Sequence, residues 1–264
     1  MPAFYAHHCF GAKVSAKMSG NQKDIIDKYY TQFAIGLQGP DIFFFYRPWS
    51  SNTITKYGYH LHSISAYPFF EHAVQVVRRK GRDSREYAYL MGFICHFILD
   101  SECHPYVDSM INETNVQHLE IEEEFEKYLL RRDGEDALAY PLADLVPTDN
   151  TTAVAIYPFY QHISPSTIKR SLEWLKLIKR IFRAPGTLKQ RILNALMHLT
   201  GKYSYWKGLM HQRIDNPKCK KSNEELLFRF DNAVDIAVTM IQKFDQSIIL
   251  EEETLDERFD RTFE

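Results

Sequence analysis

Apolar residues recur at helical spacing along most of the chain. Residues 84–101, SREYAYLMGFICHFILDS, are apolar almost all round, which predicts a helix buried on every side. Residues 115–132 predict an acidic amphipathic helix, with Ile121, Phe125 and Leu129 on one face at steps of four. Ser164 and Pro165 supply an N-cap and a first-turn proline for a helix through about Phe182. Ala184-Pro185-Gly186 breaks that helix, and Thr187 is placed to cap another that stops near Gly201. Ser222 with Glu225 predicts a capping box before Leu226, Phe230, Ala233, Ala237, Ile241, Phe244 and Ile248, a helix to about residue 250. Strand-like alternation is confined to NTITKYGY near residue 55, which predicts at most a brief pairing. The acidic run EEETLDERFDRTFE, residues 251–264, reads as a frayed tail. The pattern predicts one all-α domain over residues 1–250, a bundle of eight or nine helices.

The composition fits a folded chain: 45% hydrophobic and 25% charged residues exclude intrinsic disorder. With 11 Gly and 4 Cys, collagen-like and disulfide-dense scaffolds are excluded as well. No stretch approaches the roughly 18 uninterrupted apolar residues of a membrane span. The start, MPAFYAHHCFGAKV, lacks a basic region followed by an apolar core, so a cytoplasmic location is expected, with Cys9, Cys95, Cys103 and Cys219 as free thiols. The net charge of −2 conceals a split. Residues 165–221 carry 14 Lys and Arg against only Glu173 and Asp215. Within them, IKRSLEWLKLIKRIFR places Leu172, Leu175, Ile178 and Phe182 on one stripe, with Trp174 and Ile181 at its border. Such a basic amphipathic helix either lies on an anionic membrane or turns its stripe to the core and its charges to water.

The chemistry concentrates elsewhere. His96 and Asp100 stand four apart on the most hydrophobic predicted helix, and His104 follows four later. That spacing stacks all three side chains on one face. A carboxylate in such a helix is costly unless it is paired or coordinates a metal. His118 and Glu122 repeat the spacing on the next helix. Single His-to-acid pairs four apart are expected about 1.4 times by chance, but the triple only about 0.06 times, so the triple carries the argument. His211/Asp215, in the polar basic segment, reads as background, and Asp108 as a surface acid or an outer partner of the site. Imidazoles and carboxylates suit Zn²⁺ without any soft sulfur.

These motifs, taken in order, resemble the zinc-dependent phospholipase C family, whose superfamily also holds zinc-dependent single-strand nucleases. An early His precedes Phe10-Gly11; Gly39-Pro40-Asp41 follows; then come Gly58-Tyr59-His60-Leu61-His62, the GFICHFILDSECHPY core with His96, Asp100 and His104, and finally His118 and Glu122. The resemblance spans residues 1–122. It implies two to three zinc ions in a helical bundle. Asp41, His62, His96 and Asp100 would hold one ion. Asp100 would bridge to a second, bound by His7 and the α-amino group, and His104, His118 and Glu122 would hold the third. His8 remains an alternative to His7, and His60 to His62. Three features depart from the family pattern: Pro2 stands where an exposed amine is required, the Asp100-to-His104 gap is shorter than in secreted members, and Ile42 follows Asp41 where choline-preferring members carry an aromatic.

The implied reaction is phosphodiester hydrolysis. A zinc-bound hydroxide would attack phosphorus in line, with Asp41 as ligand and general base, and a phospholipid would release diacylglycerol. The basic segment 165–221 would supply peripheral contact with anionic membrane. A single-strand nuclease or nucleotidase, with the basic surface tracking nucleic acid, ranks second. A non-catalytic lipid-binding protein stapled by zinc is the third reading.

Overall fold

The computed structural model describes residues 4–201, 203–250 and 254–264, except for the side chain of Tyr205. Pro2 and the α-amino group, named above as a departure and a ligand, lie outside the described residues. Among the described residues there are twelve α-helices and no strand. They are α1 (Phe4–Lys17), α2 (Gly20–Lys28), α3 (Tyr30–Gly36), α4 (Thr53–Ser63), α5 (Tyr67–Lys80), α6 (Arg85–Thr114), α7 (His118–Arg132), α8 (Asn150–Ile156), α9 (Pro165–Phe182), α10 (Thr187–Leu199), α11 (Tyr203–Trp206) and α12 (Lys220–Ile249). A 3-10 helix, Gly39–Phe45, carries the Gly-Pro-Asp motif. The architecture is therefore all-α, with more helices than the eight or nine expected.

Helix α6 is the axis, contacted by α1, α2, α3, α5, α7, α8 and α12. Its residues Tyr87 through Ser101 are all buried, as the unbroken apolar run requires. The helix does not stop at 101. It continues through Pro105 to a left-handed Asn115 cap, thirty residues from Arg85, and so keeps His96, Asp100 and His104 on one continuous face. Helix α3 crosses it at backbone distance. A Cβ on Gly92 would sit 2.1 Å from the Phe33 carbonyl oxygen, and one on Gly36 would meet the Tyr89 carbonyl as closely, so only glycine fits this crossing.

Local chemistry changes three other expectations. Residues 53–63 are helical rather than strand-like, because Asn52 caps them, its side-chain oxygen accepting from Ile54 N and Thr55 N at 3.0 Å. The Ser222/Glu225 capping box does not form. The last long helix begins three residues earlier, and the Ser222 hydroxyl instead donates to the Cys219 carbonyl. The acidic segment is not frayed over residues 254–264. Phe259 and Phe263 enter the core, Arg258 and Arg261 pair with Glu102, and Ala66 N donates to the Arg261 carbonyl at 2.9 Å.

The charged face of α7 is also buried. Ile121, Phe125 and Leu129 pack inward as expected, but Glu120, Glu123, Glu124, Glu126 and Lys127 are covered too. The covering comes from residues 207–216. Lys207 pairs with Glu120, Gln212 N donates to Glu123, Asn216 N donates to Glu124, and His211 lies 3.0 Å from Glu126. Asp215 reaches Lys127 and Arg131. His211 and Asp215, which read as background in the sequence, thus secure the helix that carries His118 and Glu122.

Candidate metal centre

Five elements deliver the side chains. Helix α1 brings His7, the 3-10 helix Asp41, α4 His62, α6 His96, Asp100 and His104, and α7 His118 and Glu122. All eight are buried except the partly exposed His118. They form three groups: His7/His96/Asp100, Asp41/His62/His96 and His104/His118/Glu122. His62 Nε2 lies 2.8 Å from Asp41 Oδ1, and His96 Nε2 lies 4.0 Å from that oxygen and 3.2 Å from Asp100 Oδ2. Asp100 Oδ1 is 3.2 Å from His7 Nε2 and 3.6 Å from His104 Nε2. Glu122 Oε1 is 3.4 Å from His104 Nε2 and 3.1 Å from His118 Nε2. Asp100 therefore faces a histidine from each side of the centre. His96 belongs to two groups but offers a single inward nitrogen.

The open alternatives separate by position. His62 faces Asp41, whereas His60 on the same helix points outward. His7 faces Asp100, whereas His8 is only partly buried and lies outside the three groups. Asp108 is exposed and 4.0 Å from His118 Nδ1, the position of an outer partner. Cys95 and Cys103 are buried and belong to no group of potential ligands.

Backbone carbonyls orient the rings. Nδ1 of His62 lies 2.8 Å from the Gly58 carbonyl, Nδ1 of His96 3.2 Å from that of Leu37, and Nδ1 of His104 2.7 Å from that of Phe263. A carbonyl only accepts, so each Nδ1 carries a proton, and each Nε2 faces inward. Gly39 is needed beside His96: its φ is +47°, and a Cβ there would sit 2.1 Å from the ring. No sequence pattern marks a carbonyl as a partner, and these contacts were not legible beforehand. The aromatic run after Asp41 divides: Phe43 is fully buried, while Phe44 lies against both His62 and Tyr59.

The inward atoms are those a cation needs. Nε2 of His62, His96 and His104, together with Asp100 Oδ2 and Glu122 Oε2, are buried without hydrogen-bond partners. Native interiors rarely leave such atoms unsatisfied, and here they converge. Burial pushes the His96 imidazole down to about 3, the neutral form that ligates. Burial alone would also lower His104, but Asp100 and Glu122 outweigh it and lift the ring to about 10. The carboxylates around that ring thus favour positive charge in their midst. The donor set of imidazoles and carboxylates fits Zn²⁺. Sequence reading also missed Lys179. It lies within the basic segment, but it is buried and near Phe4, its ammonium lowered by burial and held up by Glu126, Asp41 and Glu122.

No curated protein and no solved structure matches the chain. Among the described residues no helix is long and apolar enough to cross a membrane. The family model for zinc-dependent phospholipase C matches residues 6–184, which include every histidine and carboxylate of the three groups, and the chain therefore belongs to the zinc-dependent phospholipase C family.

Proposed function

We propose that the chain is a phospholipase C-like phosphodiester hydrolase, and that His7, Asp41, His62, His96, Asp100, His104, His118 and Glu122 hold two to three zinc ions. The supporting observation is the set of buried, unsatisfied Nε2 and carboxylate oxygens on α4, α6 and α7, within three groups of potential ligands. Zinc bound there supplies Lewis acidity toward a phosphoryl oxygen and lowers the pKa of water toward neutrality. The chain's own residues do the rest. Carbonyl-held imidazoles fix the donor geometry. Asp41 orients the attacking water and accepts its proton, in-line displacement breaks the bond from phosphorus to the glyceryl oxygen, and that oxygen takes up a proton to leave as diacylglycerol. Lys179 is electrostatically coupled to Glu126, Asp41 and Glu122, although burial lowers its pKa.

The membrane contact proposed for residues 165–221 belongs to the same reading, but on a different helix. Leu172 and Leu175 of α9 are buried in the core, so that stripe is not free for lipid. On α10, by contrast, Leu188, Ile192, Leu196 and Leu199 form an exposed stripe, with Leu199 83% exposed. Arg180, Arg183, Lys189 and Arg191 are exposed beside or within this stretch, and no acidic residue lies between Glu173 and Asp215. An anionic lipid surface complements both features. Binding to vesicles should rise with anionic lipid content, fall with salt and be lost in Ile192→Glu. A concentration-dependent dimer abolished by the same change would assign the stripe to a second copy instead.

The deciding experiment is zinc analysis of chain purified without a metal-binding tag, followed by turnover of phosphatidylcholine vesicles and of single-stranded DNA, with Asp100→Asn as control. Two to three ions per chain and release of diacylglycerol support the proposal. Preference for DNA selects the nuclease reading. Full zinc occupancy without turnover of either selects the zinc-stapled lipid-binding reading. A chain that retains no zinc after refolding with it sinks all three.

A further inference from the structure

Two of the three carbonyls that hold metal-facing histidines come from nearby in sequence or from the helix packed against α6. Gly58 stands four residues before His62, and Leu37 follows α3. The third is different. His104 Nδ1 donates to the main-chain oxygen of Phe263, 159 residues away and outside the residues matched by the family model. The ring of the same residue packs on His62 and His96, with centroids 5.1 and 5.8 Å away. The segment that presents Phe263 is anchored at several points. Asp256 pairs with Lys243, Asp260 accepts from Ser65 Oγ at 2.7 Å, Arg258 and Arg261 pair with Glu102, and Phe259 packs among Phe70, Phe97 and Phe244.

We propose that the Phe263 carbonyl is the positioning group for His104, so that the docked segment 254–264 sets the affinity of the His104/His118/Glu122 group for zinc. This rests on the zinc reading above. The reasoning is geometric. The carbonyl fixes which nitrogen of His104 carries the proton and which way the ring faces. Without it, the buried Nδ1–H loses its partner and Nε2 is no longer held toward Glu122 and Asp100. His118 and Glu122 alone would then leave the group one protein ligand short of the usual three. Segment and site are thereby linked: what loosens residues 254–264 weakens one metal group.

The test compares three chains by zinc content and by competition with a chromophoric chelator. In the chain ending at Thr262, one zinc should lose about 10–100-fold in affinity, the usual cost of removing such an outer partner. Phe263→Ala, which keeps the main-chain oxygen, should retain the full complement. Equal affinity in the truncated and full chains overturns the proposal. So does a Phe263→Ala variant that loses the same ion, since the ring and not the carbonyl would then be responsible. Histidine ¹⁵N spectra of the zinc-loaded full chain give a readout independent of folding in either variant. They should show His104 protonated at Nδ1, and a ring protonated at Nε2 overturns the assignment. A full chain that binds no zinc is a different failure, and it removes the proposed function itself.

Discussion

Asp100 faces His7 and His104 with one oxygen and His96 with the other, whereas Glu122 faces only His104 and His118. Neutralising the two should therefore differ in extent. Asp100→Asn should lower zinc content by at least two ions per chain, and Glu122→Gln by one, measured by elemental analysis. Equal losses would contradict the central place of Asp100. The cysteines make a contrasting prediction. Burial, followed by the adjacent Asp133, pushes the Cys9 thiol up to about 11, and burial pushes Cys219 up to about 12 and holds Cys95 and Cys103 higher still. At pH 8 only about one Cys9 in a thousand is thiolate. Iodoacetamide should therefore leave the native chain unlabelled over a time that adds four groups to the urea-unfolded chain, as read by intact mass.

At the scale of elements, the crossing of α3 over α6 and the anchoring of α12 carry the architecture. Gly92→Ala would press a methyl against the Phe33 carbonyl, and overpacking of this kind costs about 1–3 kcal/mol. The same change displaces Leu37, whose carbonyl holds His96, so zinc affinity should fall together with stability, which urea titration and chelator competition can follow in parallel. Asp245 ties α12 to three places at once. It accepts from Arg82 at 2.7 and 2.5 Å, from the Tyr87 hydroxyl at 2.7 Å and from Gln22 at 2.9 Å. Asp245→Ala should cost about 1–3 kcal/mol, chiefly because the buried Tyr87 hydroxyl loses its partner while Arg82 is part-exposed. A loss under about 1 kcal/mol would mean that the Tyr87 hydroxyl finds water instead.

For the molecule as a whole, zinc bound only by the folded chain adds stability by mass action, about 2.7 kcal/mol for each site at 100 times its dissociation constant. Chelation should lower the midpoint of thermal unfolding, and added zinc should restore it, as calorimetry can record. How much was legible in the sequence follows from the range of each interaction. His96, Asp100 and His104, like His118 and Glu122, are set by spacing within one helix, and that spacing survives folding. The strand-like run near residue 55 was overruled by one side chain, Asn52, acting two and three residues ahead. The buried acids of α7, by contrast, depend on partners more than eighty residues away, and no local pattern announces these. The docking of residues 254–264 was illegible for the same reason, since its acidic composition reads as solvated until Glu102, Lys243 and Ser65 are seen to face it. That docking also has a consequence in time. At about 5–20 residues per second a ribosome needs roughly 8–30 s to pass from His104 to Phe263. For most of that interval, from residue 122 onward, all eight candidate ligands are already made, while His104 still lacks the carbonyl that orients it. The nascent chain can thus gather its donors long before it can hold them all in their final geometry, and the finished centre is a property of the late chain.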